Sequence, residues 1–182
     1  MLKRILVVAA LLAVLAPAST GHATGWGVGA FGGISVPLVQ DDGTNGMVFG
    51  GRLKLSLAGP IGIEPHVAFF KNGDWEPDDA PNVTLEGSKF TMIGVNFLLG
   101  GAGPVQAVRF FPVAGLNYYS QSTDLYDADS RIGWNAGLGL EFGAGNIGVE
   151  ARGTFNLMTM KDGGSRKWAQ LTGGVNLYFG TL

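Results

Sequence analysis

His66, Glu64 and Ser35 are the residue types from which a hydrolytic or acyl-transfer site could be assembled. His66 is the only histidine beyond the first 23 residues, so an imidazole base in the body of the chain must be this one. A hydroxyl nucleophile needs such a base within hydrogen-bond reach and a third group to orient it. Glu64 and Ser35 can lie at a depth similar to His66, but no His-x-Ser pairing occurs in the sequence. A histidine satisfied by its neighbours is the better reading, and no catalytic residue is assigned. Gly27-Val28-Gly29-Ala30-Phe31-Gly32 has the form of a dinucleotide fingerprint. That motif requires a strand before it and a helix after it, and this segment continues as strand. Asp74, Glu76, Asp78 and Asp79 form one acidic cluster, and Asp124, Asp127 and Asp129 another. Carboxylates at that density can hold Ca²⁺ or Mg²⁺, but no EF-hand spacing is present. Solvated loops are the default reading, and neither a metal nor a cofactor is assigned.

A second pattern is ionic. Arg52, Lys54, Glu64, His66, Arg109, Glu141, Glu150 and Arg152 all fall on the polar side of alternating segments. If Leu57 and Ile61 flank a three-residue turn, antiparallel pairing sets Lys54 opposite Glu64 and Arg52 opposite His66. Around a later hairpin Glu141, Glu150 and Arg152 come together, and Arg109 points into the same space. Arg152 is the expected counter-ion of the two glutamates. Buried charges persist only when paired and hydrogen-bonded, so these eight residues read as a structural charge network. A conduit for small ions would require the pairs to rearrange.

The elements that must carry these residues are strands. Period two recurs along the chain, the mark of strands with two chemically different faces. Trp26, Val28, Ala30 and Ile34 alternate with Gly27, Gly29, Phe31 and Ser35; Met47, Phe49, Leu53 and Leu55 with Val48, Gly50, Arg52 and Lys54. Six further segments follow around Ile61–Phe70, Met92–Leu99, Val108–Tyr119, Ile132–Phe142, Ile147–Leu157 and Ala169–Phe179. Their connections alternate as well. Ala58–Pro60, Gly100–Pro104 and Gly143–Asn146 are short; Val39–Asn45, Asn72–Gly87, Gln121–Arg131 and Thr159–Lys167 are longer and more charged. Ahead of the first segment, Lys3 and Arg4 precede an apolar run from Ile5 to Leu15 and then small residues. This is the layout of a secretory signal peptide, too short for a spanning helix. Cleavage is expected after Ala23, with Ala18 as the alternative, giving a leader at 1–23 and one domain at 24–182.

Composition narrows the environment. The chain has 182 residues, no cysteine, 31 glycines and only 14% charged residues. Soluble domains carry about 25% charge, so something other than water is expected to cover much of the surface. Without Lys3 and Arg4, ten Lys/Arg face fourteen Asp/Glu, and no basic patch suggests nucleic acid as a partner. A soluble lipocalin-like barrel would alternate too, with its apolar face inward. The charges decide otherwise: each lies in a loop or on the polar face, Lys89 being the marginal case. A charge facing lipid costs about 2–4 kcal/mol for Arg or Lys at the midplane. The expected fold is therefore all-β, an eight-stranded antiparallel up-and-down transmembrane β-barrel with a side-chain-filled interior. Trp26, Phe142 and Phe179 at one end, with Tyr118 and Trp134 at the other, would form interfacial girdles.

Val108–Tyr119 (VRFFPVAGLNYY), Trp134–Phe142 (WNAGLGLEF) and Ile147–Phe155 (IGVEARGTF) resemble the second half of small OmpA-type and opacity-type outer-membrane barrels. The resemblance implies a bacterial outer-membrane location, contact with outer-membrane lipid and lipopolysaccharide, and insertion by the barrel-assembly machinery. It implies a non-enzymatic structural or surface-interaction role, with loops 72–87 and 121–131 available to surface ligands. A lipid A-modifying enzyme on the same barrel, or a small-solute porin, are the alternatives. Such barrels usually finish on an aromatic residue; here Phe179 precedes a short tail, or Leu182 substitutes.

Overall fold

The computed structural model describes residues 25–38, 44–57, 60–74, 87, 89–100, 102–104, 107–123, 126–160 and 164–180. The expected leader at 1–23 lies outside them. Eight strands follow in order: β1 (Trp26–Leu38), β2 (Thr44–Ser56), β3 (Ile61–Gly73), β4 (Lys89–Leu99), β5 (Val108–Thr123), β6 (Tyr126–Ala144), β7 (Ile147–Thr159) and β8 (Ser165–Phe179). Each pairs antiparallel with its sequence neighbour, and β1 pairs with β8 from Trp26↔Phe179 to Leu38↔Lys167, closing the barrel. Closure leaves no unpaired edge, which a strand surrounded by hydrocarbon could not tolerate.

The alternation sorts the faces as the sequence predicts. Leu116, Ile132, Leu138, Val149, Leu171 and Val175 are exposed on the outside, while their polar neighbours are buried. The closed lumen is filled in layers. Val48, Phe70, Phe90, Met92, Tyr119, Met158 and Trp168 form an aromatic-rich cluster toward the long-loop end. Phe70 stacks on Phe90 at 4.6 Å, and Tyr119 meets Trp168 edge-on at 5.2 Å. A smaller cluster of Leu98, Ala102, Phe111 and Val113 lies toward the short-turn end. The charged residues lie beside this smaller cluster, with Arg109 and Glu141 nearer the short-turn end than Phe111 and Val113.

The short turns are tied by backbone bonds. Leu57 N–H donates to the Ile61 carbonyl at 3.0 Å, and Gly143 N–H to that of Ala107 at 2.9 Å. Gly145, in the β6–β7 turn, has φ +60°, a conformation that favours glycine. Pro65 lacks an amide, and the β2–β3 ladder is interrupted there, between Arg52↔His66 and Leu55↔Ile63.

Strands trim the expected long connections at Thr44, Gly73 and Ser165, and one connection differs further. Gln121–Arg131 reads as an acidic loop, but β5 continues to Thr123 and β6 begins at Tyr126. Ser120↔Ser130, Gln121↔Asp129 and Thr123↔Tyr126 are paired, with a register shift between Gln121 and Thr123. This segment is the end of a long hairpin, so Asp127 and Asp129 belong to a strand. In contrast β3 runs to Gly73, taking in the first two residues of the expected 72–87 connection, and β4 starts at Lys89; residues 75–86 lie outside the described residues.

Candidate functional site

Parity places Arg52 and Lys54 inward from β2, Glu64 and His66 from β3, Arg109 from β5, Glu141 from β6, and Glu150 and Arg152 from β7. All but Arg109 are buried. Lys54 lies at the centre of the layer, with its side chain 0% exposed. Its Nζ donates to Glu150 Oε2 at 2.6 Å, Glu141 Oε2 at 3.1 Å and the Tyr178 hydroxyl at 3.1 Å. That ammonium therefore bonds across the lumen to β6, β7 and β8. Arg109 Nη2 joins from the rim, donating to Glu141 Oε2 at 2.6 Å. Tyr178 donates its hydroxyl to Glu141 Oε1 at 2.5 Å.

A second carboxylate group centres on Glu64. Arg152 grips it with two donors, at 2.5 and 2.7 Å, a fork that matches a carboxylate's geometry. Arg152 Nε donates to Glu150 Oε1 at 2.7 Å, and Arg52 Nη1 reaches the same oxygen at 2.7 Å. Asn96 adds a bond to Glu64 at 2.8 Å, and Asn176 one to Glu141 at 2.7 Å. Four cations and three carboxylates are thus joined in one network through Glu150. The Phe111 ring lies beside it, with Lys54 Nζ at 5.2 Å, Arg152 at 5.5 Å and Arg109 at 5.7 Å from its centroid.

The register follows expectation more closely than the partner choice does. Arg52 pairs with His66, and Glu141 with Glu150. Lys54, however, bonds Glu141 and Glu150 rather than Glu64. Arg152 bridges Glu64 and Glu150, so Lys54 is the common counter-ion of the two glutamates. Asn176, Tyr178 and Phe111 are further members that charge alone does not reveal, although all three stand on the inward parity of their strands. Inward glycines provide the room. A Cβ on Gly148 would stand 2.2 Å from Glu141 Oε1, and one on Gly139 2.2 Å from Phe111 Cζ.

His66 is buried, and its Nδ1 lies 3.3 Å from the Glu64 carbonyl oxygen. Gly29 is in register with Arg52, and Arg52 with His66. Ser35 is six residues further along β1, about 20 Å at 3.3 Å per residue. It pairs instead with Gly46 and Gln170. The three residues that could have formed a nucleophilic site are therefore not brought together. Beside Glu64, Arg52 and Arg152 is a cavity of about 30 Å³, room for about two waters. Among the described residues no group of three or more His, Asp or Glu is placed to hold a metal. The acidic side chains of Glu76, Asp78, Asp79, Asp124, Asp127 and Asp129 lie outside the described set. Asp74 is described: it accepts from Gly87 N–H at 2.9 Å and pairs with Lys71 at 3.3 Å. These two contacts, the Gly87 amide first, hold its carboxyl below the usual range.

A closed barrel of eight antiparallel strands, apolar outside and charged within, is a transmembrane β-barrel. The family profile of the outer membrane protein beta-barrel domain matches residues 6–179, and the chain belongs to that family. It is a protein of the bacterial outer membrane. Among solved structures, Neisserial surface protein A is similar over 85% of this chain and 97% of its own, with 15% identity and a TM-score of 0.64. The attachment invasion locus protein Ail of Yersinia pestis covers 86% of this chain and 99% of its own, at 14% identity and a TM-score of 0.54. The N-terminal β-barrel domain of Pseudomonas aeruginosa OprF covers 86% and 98%, at 16% identity and 0.53. At such identities the likeness is one of fold. No curated protein sequence matches the chain.

Proposed function

We propose that this protein is a non-conducting, non-enzymatic scaffold of the outer membrane, whose barrel holds the 72–87 loop and the 121–131 hairpin at the cell surface. The observation that carries the reading is Lys54. Its single buried ammonium bonds residues of three other strands and stands where a passage would have to run. Opening a conduit would separate these pairs in a confined space, at a cost of about 3–5 kcal/mol for each uncompensated charge. The eight inward polar and charged residues act as internal bracing and touch no substrate. Lipid and lipopolysaccharide surround the outer face, the barrel-assembly machinery inserts the chain, and surface ligands meet the loops.

A deletion strain separates this reading from its alternatives. Loss of the protein is expected to raise detergent sensitivity or lower surface adhesion while the mass of lipid A stays unchanged. Re-expression with residues 75–86 shortened should restore detergent resistance but not adhesion. A change in lipid A mass that the wild-type gene reverses would point to an enzyme and overturn the scaffold.

A further inference from the structure

Among the described residues the charge network is unbalanced. Arg52, Lys54, Arg109 and Arg152 meet only Glu64, Glu141 and Glu150, and His66 cannot supply a negative charge. The surplus falls on Arg52. Both oxygens of Glu64 are taken by the Arg152 fork, and Glu141 takes Lys54 and Arg109. Glu150 is left to serve three cations: Arg52 Nη1 shares its Oε1 with Arg152 Nε, while its Oε2 accepts from Lys54. Arg52 Nε donates to a neutral amide, Asn176 Oδ1, at 2.9 Å, and Nη2 has no hydrogen-bond partner. The Arg52 side chain is only 2% exposed, so water outside the barrel does not screen it. A cation at that depth is strongly destabilising unless an anion neutralises it.

Arg52 borders the cavity beside Glu64, which Phe31 and Met92 close toward the aromatic cluster. Gln170 of β8 lines the same cavity; it is buried, and its Nε2 is a second donor without a partner. Two unpaired donors and a surplus positive charge at one cavity specify an acceptor that carries negative charge. Water would satisfy the donors and leave the charge. The volume of about 30 Å³ admits about two water-sized particles, so a monatomic anion fits and a polyatomic one such as phosphate does not. Glu64, on the same wall, is already compensated by Arg152 and Asn96. Asn135 Oδ1, an acceptor without a partner, suits a water that donates both to it and to the ion.

We infer that the lumen binds one chloride ion between Arg52 Nη2 and Gln170 Nε2, as the fourth anion of the network. The site rests on the ion pairs and the cavity. It does not depend on the scaffold role, whose failure would appear in lipid A mass or adhesion instead.

The test is crystallography of the purified protein refolded in detergent with sodium bromide, read in the anomalous map at the bromine edge. One bromide peak is expected in the cavity beside Arg52. Arg52→Gln, which removes the surplus charge and keeps a donor, should abolish the peak, as should Gln170→Met. The second readout is the urea unfolding midpoint at constant ionic strength. Wild type should unfold at lower urea in gluconate, an anion too large for the cavity, than in chloride. Gln170→Glu tethers a carboxylate in place of the ion, so its midpoint should be the same in both salts and no lower than that of wild type in gluconate. Heat-modifiable migration on gels verifies that each variant is folded. Water alone in the wild-type cavity would overturn the site, as would a bromide peak that both variants retain, the mark of an adventitious ion. Equal wild-type midpoints in chloride and gluconate, or a Gln170→Glu midpoint that still rises with chloride, would also overturn it.

Discussion

Lys54 carries more of the interior than any other cation described, because its ammonium bonds both members of the Glu141–Glu150 pair, as the uncharged amide of Asn176 also does. Those glutamates face each other in the β6–β7 ladder and are buried. Lys54→Met keeps the stem and removes the charge, so it is expected to destabilise folding into vesicles by about 3–5 kcal/mol. Arg109→Ala should cost less, since that side chain is 12% exposed and water can reach the carboxylate it leaves. Adding Glu141→Gln to Lys54→Met should recover part of the loss, because one of the opposed charges is gone. Urea unfolding midpoints measure all three, and an unchanged midpoint in Lys54→Met would remove the lysine from the centre of the network. The members of this network were legible from parity, and so were the strand-to-strand neighbours. The partners across the lumen were not. They depend on how far each strand is staggered around the closed barrel, which the alternation of one strand does not encode. Hence the expectation that Arg152 neutralises both glutamates holds for Glu150 alone: Arg152 bridges Glu150 and Glu64, and Lys54 bridges Glu150 and Glu141.

Strands supply the second scale, where the two faces can be tested separately. Leu138 of β6 is exposed to lipid, and Leu138→Arg is expected to cost about 2–4 kcal/mol in bilayers. Gly139 faces inward, and Gly139→Ala should destabilise for a different reason, by displacing the Phe111 ring. Gly153 of β7 faces outward with nothing within 4 Å of an added Cβ, so Gly153→Ala should leave the midpoint unchanged. If arginine at 138 were tolerated as well as alanine at 153, the faces would be reversed. Strand number, order and facing were all readable, because lipid on one side and a narrow lumen on the other enforce strict alternation. The ends of β5 and β6 were not. Beyond the bilayer a strand needs no apolar face, so Gln121, Ser122 and Thr123 read as loop while the ladder continues through them. Amide exchange separates the two descriptions: Gln121 and Asp129 should exchange slowly, as paired strand residues do. Exchange as fast as in an open loop would shorten both strands.

On the scale of the whole molecule, the interior is a sequence of fillings from end to end. Aromatic packing lies toward the loops, and toward the short turns the ion network lies beside Leu98, Phe111 and Val113. A barrel of this strand number has room for side chains but not for an aqueous channel as well. On the outside, among the described residues, Lys71, Lys89 and Lys167 have the outward parity of β3, β4 and β8 and stand at the long-loop ends of those strands, not in loops or on the polar face. The interior fillings are the features on which the proposed non-conducting scaffold rests. Conductance of the purified wild-type protein in planar bilayers tests that description most directly. The expected trace is silent at voltages of either sign. Stable single-channel openings, altered in size by Lys54→Met, would contradict it and make the charged layer a gate.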